Sequence, residues 1–171
     1  GVLAATKFDS KTDGFIRLMV MMGAGIPVFW LGLLLQHYVA GEAGWFPIAG
    51  RISFEFRDFS GSTGFLLIDS ALQGEWRIFW DALNHLFLPA FTLSTLFIAV
   101  VTRTTRSTVL RTLQEDYVTL ARSKGISEYQ VVVRHALRNA LIPTITIFGM
   151  QVGWMLSTTI LVEEIFSRPG I

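Results

Sequence analysis

The chain has 171 residues, 51% of them hydrophobic and only 16% charged, with a mean hydropathy of +0.51. Soluble domains carry about 25% charged residues, so an ordinary soluble fold is disfavoured. The absence of cysteine excludes a disulfide frame and a thiolate metal site. A formal net charge of +1 says little by itself; the placement of the charges is the informative part.

In chain order, residues 1–5 read as the end of an apolar segment, and no signal peptide is visible. The chain opens on Gly1 and closes on Pro169-Gly170-Ile171, so both ends read as cuts in a longer protein. About 20 mainly apolar residues in helix cross a bilayer core, and three stretches meet that need: 14–36, 85–102 and 139–162. Charges lie between or at the ends of these stretches, because a Lys, Arg or Asp at the bilayer centre costs about 2.5–3.5 kcal/mol. Pro27, Pro89 and Pro143 fall within or beside them, which membrane bundles tolerate when neighbours re-satisfy the freed backbone. Gly149 and Gly153 have the small-residue spacing of helix contacts, a spacing that chance also produces in a Gly-rich span.

Lys and Arg set the orientation. Residues 103–138 hold Arg103, Arg106, Arg111, Arg122, Lys124, Arg134 and Arg138, whereas 37–84 hold only Arg51, Arg57 and Arg77 against six acids. Segment 103–138 is therefore expected in the cytoplasm, with 37–84 and 163–171 outside. Arg103, Arg106 and Arg111 would anchor their helix end at the anionic inner leaflet. Trp45, Phe46, Trp76 and Trp80 would form an outer aromatic belt, and the outer segment turns around Ser60-Gly61-Ser62-Thr63-Gly64.

The cytoplasmic segment is the richest in signals. Residues 116–124 read as a short helix with an acidic start. Gly125 suits the left-handed position that ends such a helix. Ser127 then opens a second helix, with Gln130 placed to complete a capping box. A loop that only joins two spans needs neither helix nor its apolar residues. Two short helices meeting at a tight turn suit docking into a groove on a cytoplasmic partner. Ala121 and Gly125, small and four residues apart, would leave a shallow face for another backbone; the plain alternative is a helix ending in a Gly cap.

The stretch Glu115-Asp116-Tyr117-Val118-Thr119-Leu120-Ala121-Arg122-Ser123-Lys124-Gly125-Ile126-Ser127, followed by His135-Ala136-Leu137-Arg138-Asn139-Ala140-Leu141-Ile142-Pro143, resembles the cytoplasmic loop of binding-protein-dependent ABC transporter permeases. The dipeptide, oligopeptide and nickel branch is the most similar. Gly25-Ile26-Pro27-Val28-Phe29-Trp30-Leu31-Gly32, Gly44-Trp45-Phe46-Pro47-Ile48-Ala49-Gly50 and Glu163-Glu164-Ile165-Phe166-Ser167-Arg168-Pro169-Gly170 resemble further stretches of that branch, in the same order. The general signature begins Glu-Ala-Ala where this chain has Thr119-Leu120-Ala121, and the peptide branch departs from it in the same way.

The resemblance implies an all-α membrane protein, a polytopic helical bundle of the ABC importer permease type, of which this chain is a fragment in the inner membrane. It implies a coupling loop built from Tyr117, Thr119, Leu120, Ala121, Lys124, Gly125, Ile126, Ser127, His135 and Leu137. That loop would sit in a cleft of an ATPase subunit. The permease itself would bind no cofactor, with ATP held by the partner subunits. A second permease subunit would complete the pore, and an extracytoplasmic binding protein would deliver peptides, or in related importers nickel, glutathione or another small solute. Gln151, with Gly153, would line the solute path, or Gln151 would hydrogen-bond to a neighbouring helix.

Two rival classes remain. The elbow partly resembles a helix-turn-helix, which would make a membrane-anchored DNA-binding protein. However, Lys124 and Arg134 fall where that motif buries apolar residues, and no third helix completes a core, so no nucleic-acid partner is expected. An intramembrane enzyme needs a catalytic or metal constellation. His37, His85 and His135 are scattered, without a His-x-x-x-His pair, and neither a Gly-x-Ser-x-Gly nor a phosphate loop occurs. No catalytic or metal residue is expected.

Overall fold

A computed structural model describes residues 1–168. The resemblance at Pro169-Gly170 and the last part of segment 163–171 lie outside the described residues. The elements are helical throughout: α1 (Val2–Thr6), α2 (Lys11–Gly25), α3 (Val28–Leu34) continuing as a π-helical stretch (Leu35–Glu42), a 3-10 turn (Phe54–Phe56), α4 (Leu66–Leu72), α5 (Trp76–Leu113), α6 (Asp116–Ser123), α7 (Glu128–Gln130) continuing as a second π-helical stretch (Val131–Leu137), and α8 (Arg138–Ile165).

Among the described residues two helical runs are long and apolar enough to cross a membrane, Trp76–Leu113 and Glu128–Ile165. A third candidate is broken: Lys11–Gly25 and Val28–Glu42 pass the same test only as a pair. The continuous helix expected over 14–36 is interrupted at Ile26-Pro27. Pro27 has no N–H to offer, and its ring pushes the preceding residue out of helical geometry; it becomes the N-cap of α3 at ψ 135°. Pro89 and Pro143, by contrast, sit inside unbroken helices. Near them Thr92 donates its hydroxyl to the Leu88 carbonyl at 2.8 Å, and Thr144 donates to the Ala140 carbonyl at 2.8 Å.

The chain divides into two compact units. One comprises residues 1–25 and 95–156. Its core has two neighbouring clusters. Ala5, Val109 and Ala140 are buried together with Val2, Leu110, Leu113 and Leu137 around them. Val118, Ala121 and Val131 form the second, backed by Leu113 and Ile126. Leu113 thus serves both. Gly23 lets α2 approach α5 closely, since a Cβ there would stand 3.1 Å from the Thr95 methyl. Phe97 and Phe148 meet edge to face at 4.9 Å.

This unit also holds a buried ion pair that sequence reading did not single out. Asp13 is fully buried. Arg106 grips its carboxylate with two parallel bonds, Nε to Oδ1 at 2.7 Å and Nη2 to Oδ2 at 2.6 Å. The Asp9 N–H adds a third bond at 3.2 Å, and the Arg106 guanidinium lies 5.5 Å from the Phe8 ring centre. A carboxylate taken from water needs such multiple partners, and removing one of them is strongly destabilising.

The other unit comprises residues 26–94 and 157–168 of those described. Its core is Ala40, Leu88, Val162 and Phe166, flanked by Val28, Leu35, Val39 and Ile165. Gln36 caps this packing: its amide donates to the Ile165 carbonyl at 2.7 Å and to the Ile48 carbonyl at 3.1 Å. The segment after α3 is ordered by two carboxylates. Asp81 accepts the Ser53 N–H at 2.7 Å and the Ser53 hydroxyl at 2.6 Å. Asp69, buried on α4, accepts the Thr63 N–H at 3.0 Å. The turn 60–64 wraps so tightly that a Cβ on Gly61 would fall on the Asp69 carboxyl group. Burial pushes the Asp69 carboxyl up, but the N–H and hydroxyl of Thr63, with the N–H groups of Gly64 and Ser62, hold it below the ordinary carboxylate range.

Candidate functional site

The segment from Glu115 to Leu137 folds as an elbow with its own small core. Glu115 takes an extended backbone conformation as N-cap of α6, without a side-chain cap bond. The helix ends at Lys124 and reverses through Gly125, whose φ is +75°. Two bonds close the turn: the Gly125 N–H donates to the Arg122 carbonyl at 2.9 Å, and the Ile126 N–H to the Ala121 carbonyl at 3.4 Å. This crossed pair, together with Ile126 packing back on Ala121, is the Schellman end that a left-handed glycine permits. An L side chain in that conformation is disfavoured by its own backbone.

Beyond the turn, Ser127 starts α7 from an extended backbone, as the sequence indicates, but its side chain makes no cap bond. The reversal is instead clamped by charge. Arg122 grips Glu128 with Nε to Oε2 at 3.1 Å and Nη2 to Oε1 at 2.7 Å. The hydrogen bond to Glu128 holds the Arg122 guanidinium protonated above its ordinary range, against a smaller opposing effect of burial. Val131–Leu137 is π-helical, a wider winding that sequence periodicity did not foretell.

The expected loop residues separate into three groups. Ala121 and Ile126 turn inward onto Val118 and Val131. Ala121 is thus part of the elbow's core, and the shallow face expected from Ala121 with Gly125 is open only at Gly125, where an added Cβ would meet nothing within 4 Å. Leu137 packs on the other cluster, beside Val109 and Ala140, and His135 is half-buried on the π-helical stretch. Tyr117, Thr119, Leu120, Lys124 and Ser127 face outward. Leu120 is 55% exposed and Tyr129, which follows the turn, 76%. The Tyr117 hydroxyl accepts a bond from the Asn139 amide at 2.7 Å, tying the elbow to the start of α8.

Gln151 is half-buried on α8 and has no hydrogen bond among the described residues. A Cβ at Gly149 or Gly153 would likewise touch nothing within 4 Å. The long apolar side chains around them, including Ile145, Met150 and Trp154, are exposed. Among the described residues no group of three or more His, Asp or Glu is placed to hold a metal ion.

Apolar helices of spanning length, joined by an elbow with its own core and charged clamp, define a polytopic helical membrane component. The family described as "Binding-protein-dependent transport system inner membrane component" matches residues 1–171, and the chain belongs to it. It is 47% identical over 171 residues to the di/tripeptide transport system permease protein DppB of Pseudomonas aeruginosa, covering all of this chain and 51% of that protein. It is 44% identical over 173 residues to the dipeptide transport system permease protein DppB of Escherichia coli, with the same coverage. The oligopeptide transport system permease protein AppB of Bacillus subtilis is 40% identical over 171 residues, again covering the whole chain and 48% of the relative. The chain therefore spans about half the length of the relatives it matches. It is thus an inner-membrane component of a binding-protein-dependent transport system, and the relatives named here are permease proteins of such systems.

Proposed function

We propose that this chain is the coupling and part of the translocating portion of an ATP-driven importer for dipeptides or oligopeptides. The observation that carries the reading is the elbow. It keeps its own core of Val118, Ala121 and Val131 while exposing Leu120, Lys124 and Tyr129 on its outer surface. A self-supporting knob with apolar and cationic side chains outward is the shape that a groove on a soluble partner can grip. That partner is a cytoplasmic ATPase subunit, which holds the ATP. Closure of the ATPase pair would move the helices between inward-open and outward-open states. A second permease subunit completes the pore, and an extracytoplasmic binding protein delivers the solute. Peptides are the favoured solute because the relatives named above are peptide permeases.

The excess of Lys and Arg in 103–138 over 37–84 supports a cytoplasmic elbow. The outer segment then offers a cleft of about 650 Å³ beside Arg51, Phe54 and Arg57 to the extracytoplasmic side. Gln151, without a hydrogen bond among the described residues, and Gly153, where an added Cβ would meet nothing within 4 Å, are the candidates for the solute path. The test is Tyr129→Cys in the full-length protein, on a cysteine-free background. A membrane-impermeant maleimide should label it only after the cytoplasmic face is opened. Labelling in intact cells from the outside would put the elbow on the wrong side and end this reading.

A further inference from the structure

A cavity of about 340 Å³ lies between α2 and the later part of α5, both within the first unit. Its walls divide by chemistry. Ile16, Val20 and Met21 give it an apolar side, while Arg17, Arg103 and Ser107 give it a cationic, hydrogen-bonding rim. Arg106 also lines it, but that guanidinium is committed to Asp13 through two short bonds. Arg17 is only loosely held, with its Nε 3.8 Å from the same carboxylate and its side chain half exposed. Arg103 is exposed and has no ion pair or hydrogen bond among the described residues. The three arginines and Asp13 together leave two positive charges unbalanced around one small cavity.

We propose that this cavity is a binding site for one anionic phospholipid, the phosphate held by Arg103 and Arg17 with the Ser107 hydroxyl, and an acyl chain lying along Ile16, Val20 and Met21. The chemistry favours a lipid over free phosphate because the apolar wall has nothing to offer a small hydrated anion. Basic pockets between membrane helices near the end of a span suit anionic headgroups. Arg103 stands where the apolar stretch 85–102 stops, the depth at which a headgroup lies. The inference rests on that end of the helix lying at the membrane surface. The proposed orientation is read separately by labelling at Tyr129, so failure of one is distinguishable from failure of the other.

The test uses the full-length protein in its assembled transporter, with cardiolipin or phosphatidylglycerol added to lipid-depleted, detergent-solubilised complex and adducts counted by native mass spectrometry. One tightly held anionic lipid is expected. Arg103→Gln and Arg17→Gln should each weaken it about five-fold, and the double variant roughly 30-fold. Arg111→Gln should leave it unchanged, because Arg111 is exposed on the same helix but does not line the cavity. An equal loss with Arg111→Gln would mean general attraction to a basic helix and overturn the site. Displacement by inorganic phosphate, with the same arginine dependence and no lipid adduct, would overturn the lipid as occupant. A photo-reactive anionic lipid on the unaltered protein gives a reading free of folding effects. It should label residues within 16–21 and 102–107, and labelling confined to other segments would refute the proposal.

Discussion

Replacing Gly125 with Val isolates the backbone of the elbow from everything else. Because φ is +75° and an added Cβ meets nothing within 4 Å, the substitution creates no clash inside this chain. Its cost is the left-handed conformation itself, about 2 kcal/mol for a β-branched residue. The elbow has little to set against that. Val118 and Val131 are fully buried, each contributing about 1.5–3 kcal/mol at most, and much of that is offset by the entropy of ordering the loop. The Arg122–Glu128 clamp is substantially exposed, so a pair of this kind adds about 0.5 kcal/mol. A 2 kcal/mol change shifts the balance between formed and unformed elbow roughly 30-fold. Gly125→Asn is the control, since Asn tolerates this backbone region far better. In proteoliposomes carrying the full transporter, uptake of a labelled dipeptide should fall about ten-fold or more with Val and stay near normal with Asn. ATP hydrolysis and membrane insertion should persist in both. Normal uptake with Val would show that the turn geometry is dispensable. Equal loss with Val and Asn would show that side-chain volume at the partner, not backbone conformation, decides the outcome, and the reasoning would be wrong.

Four further outcomes are expected. Ala121→Trp should overpack the cluster with Val118 and Val131, cost about 1–3 kcal/mol and reduce co-purification of the ATPase by deforming the elbow. Leu120→Ala should reduce that co-purification without a change in thermal stability, because Leu120 faces outward; unchanged co-purification would remove Leu120 from the contact. Asp69 has a depressed carboxyl pKa, so it stabilises the outer turn above the ordinary carboxylate range near pH 4, and that contribution is lost as pH falls through the lower, folded value. Protease resistance of segment 60–75 should therefore drop at acid pH in the native protein, and Asp69→Asn should abolish that pH dependence while weakening the turn at neutral pH. Finally, Asp13→Asn should leave Arg106 as a partly buried charge with a weakened partner and lower the melting temperature. The double variant Asp13→Asn with Arg106→Gln should recover part of the loss; no recovery would show that the pair is not the source.

What could be read from residues alone follows the range of the interaction concerned. The apolar stretches 85–102 and 139–162, the Gly125 turn and the start of a helix after Ser127 are local signals, and each reappears in the fold; the stretch 14–36 reappears as two helices broken at Pro27. Helix ends were less legible: α5 runs from Trp76 to Leu113, well past both ends of the apolar stretch 85–102, because nothing local stops a helix when it leaves a membrane. The π-helical windings at Leu35–Glu42 and Val131–Leu137 have no simple sequence period. Asp13 with Arg106 and Gln36 with Ile165 are joined across 93 and 129 residues, and no spacing rule reaches that far. Ala121 marks the limit most clearly. Its small size suggested room for a partner, yet a small residue is equally what a crowded interior requires.

That distinction changes how the proposed coupling has to operate. With Ala121 spent internally, a partner cannot reach the backbone along that face and must hold the elbow by its outer side chains and by the open side of Gly125. A force applied there meets a turn closed by two backbone bonds and one bidentate clamp rather than a loose linker. The Tyr117–Asn139 bond and the Leu113 side chain then carry the displacement to the neighbouring helices, Leu113 being packed against both clusters at once. On this account the stiffness of the joint matters more than the affinity of the grip. Tyr117→Phe, which removes only the bond to Asn139, should therefore lower the peptide transported per ATP hydrolysed while leaving ATPase binding intact; an unchanged ratio would mean that the displacement travels by another route.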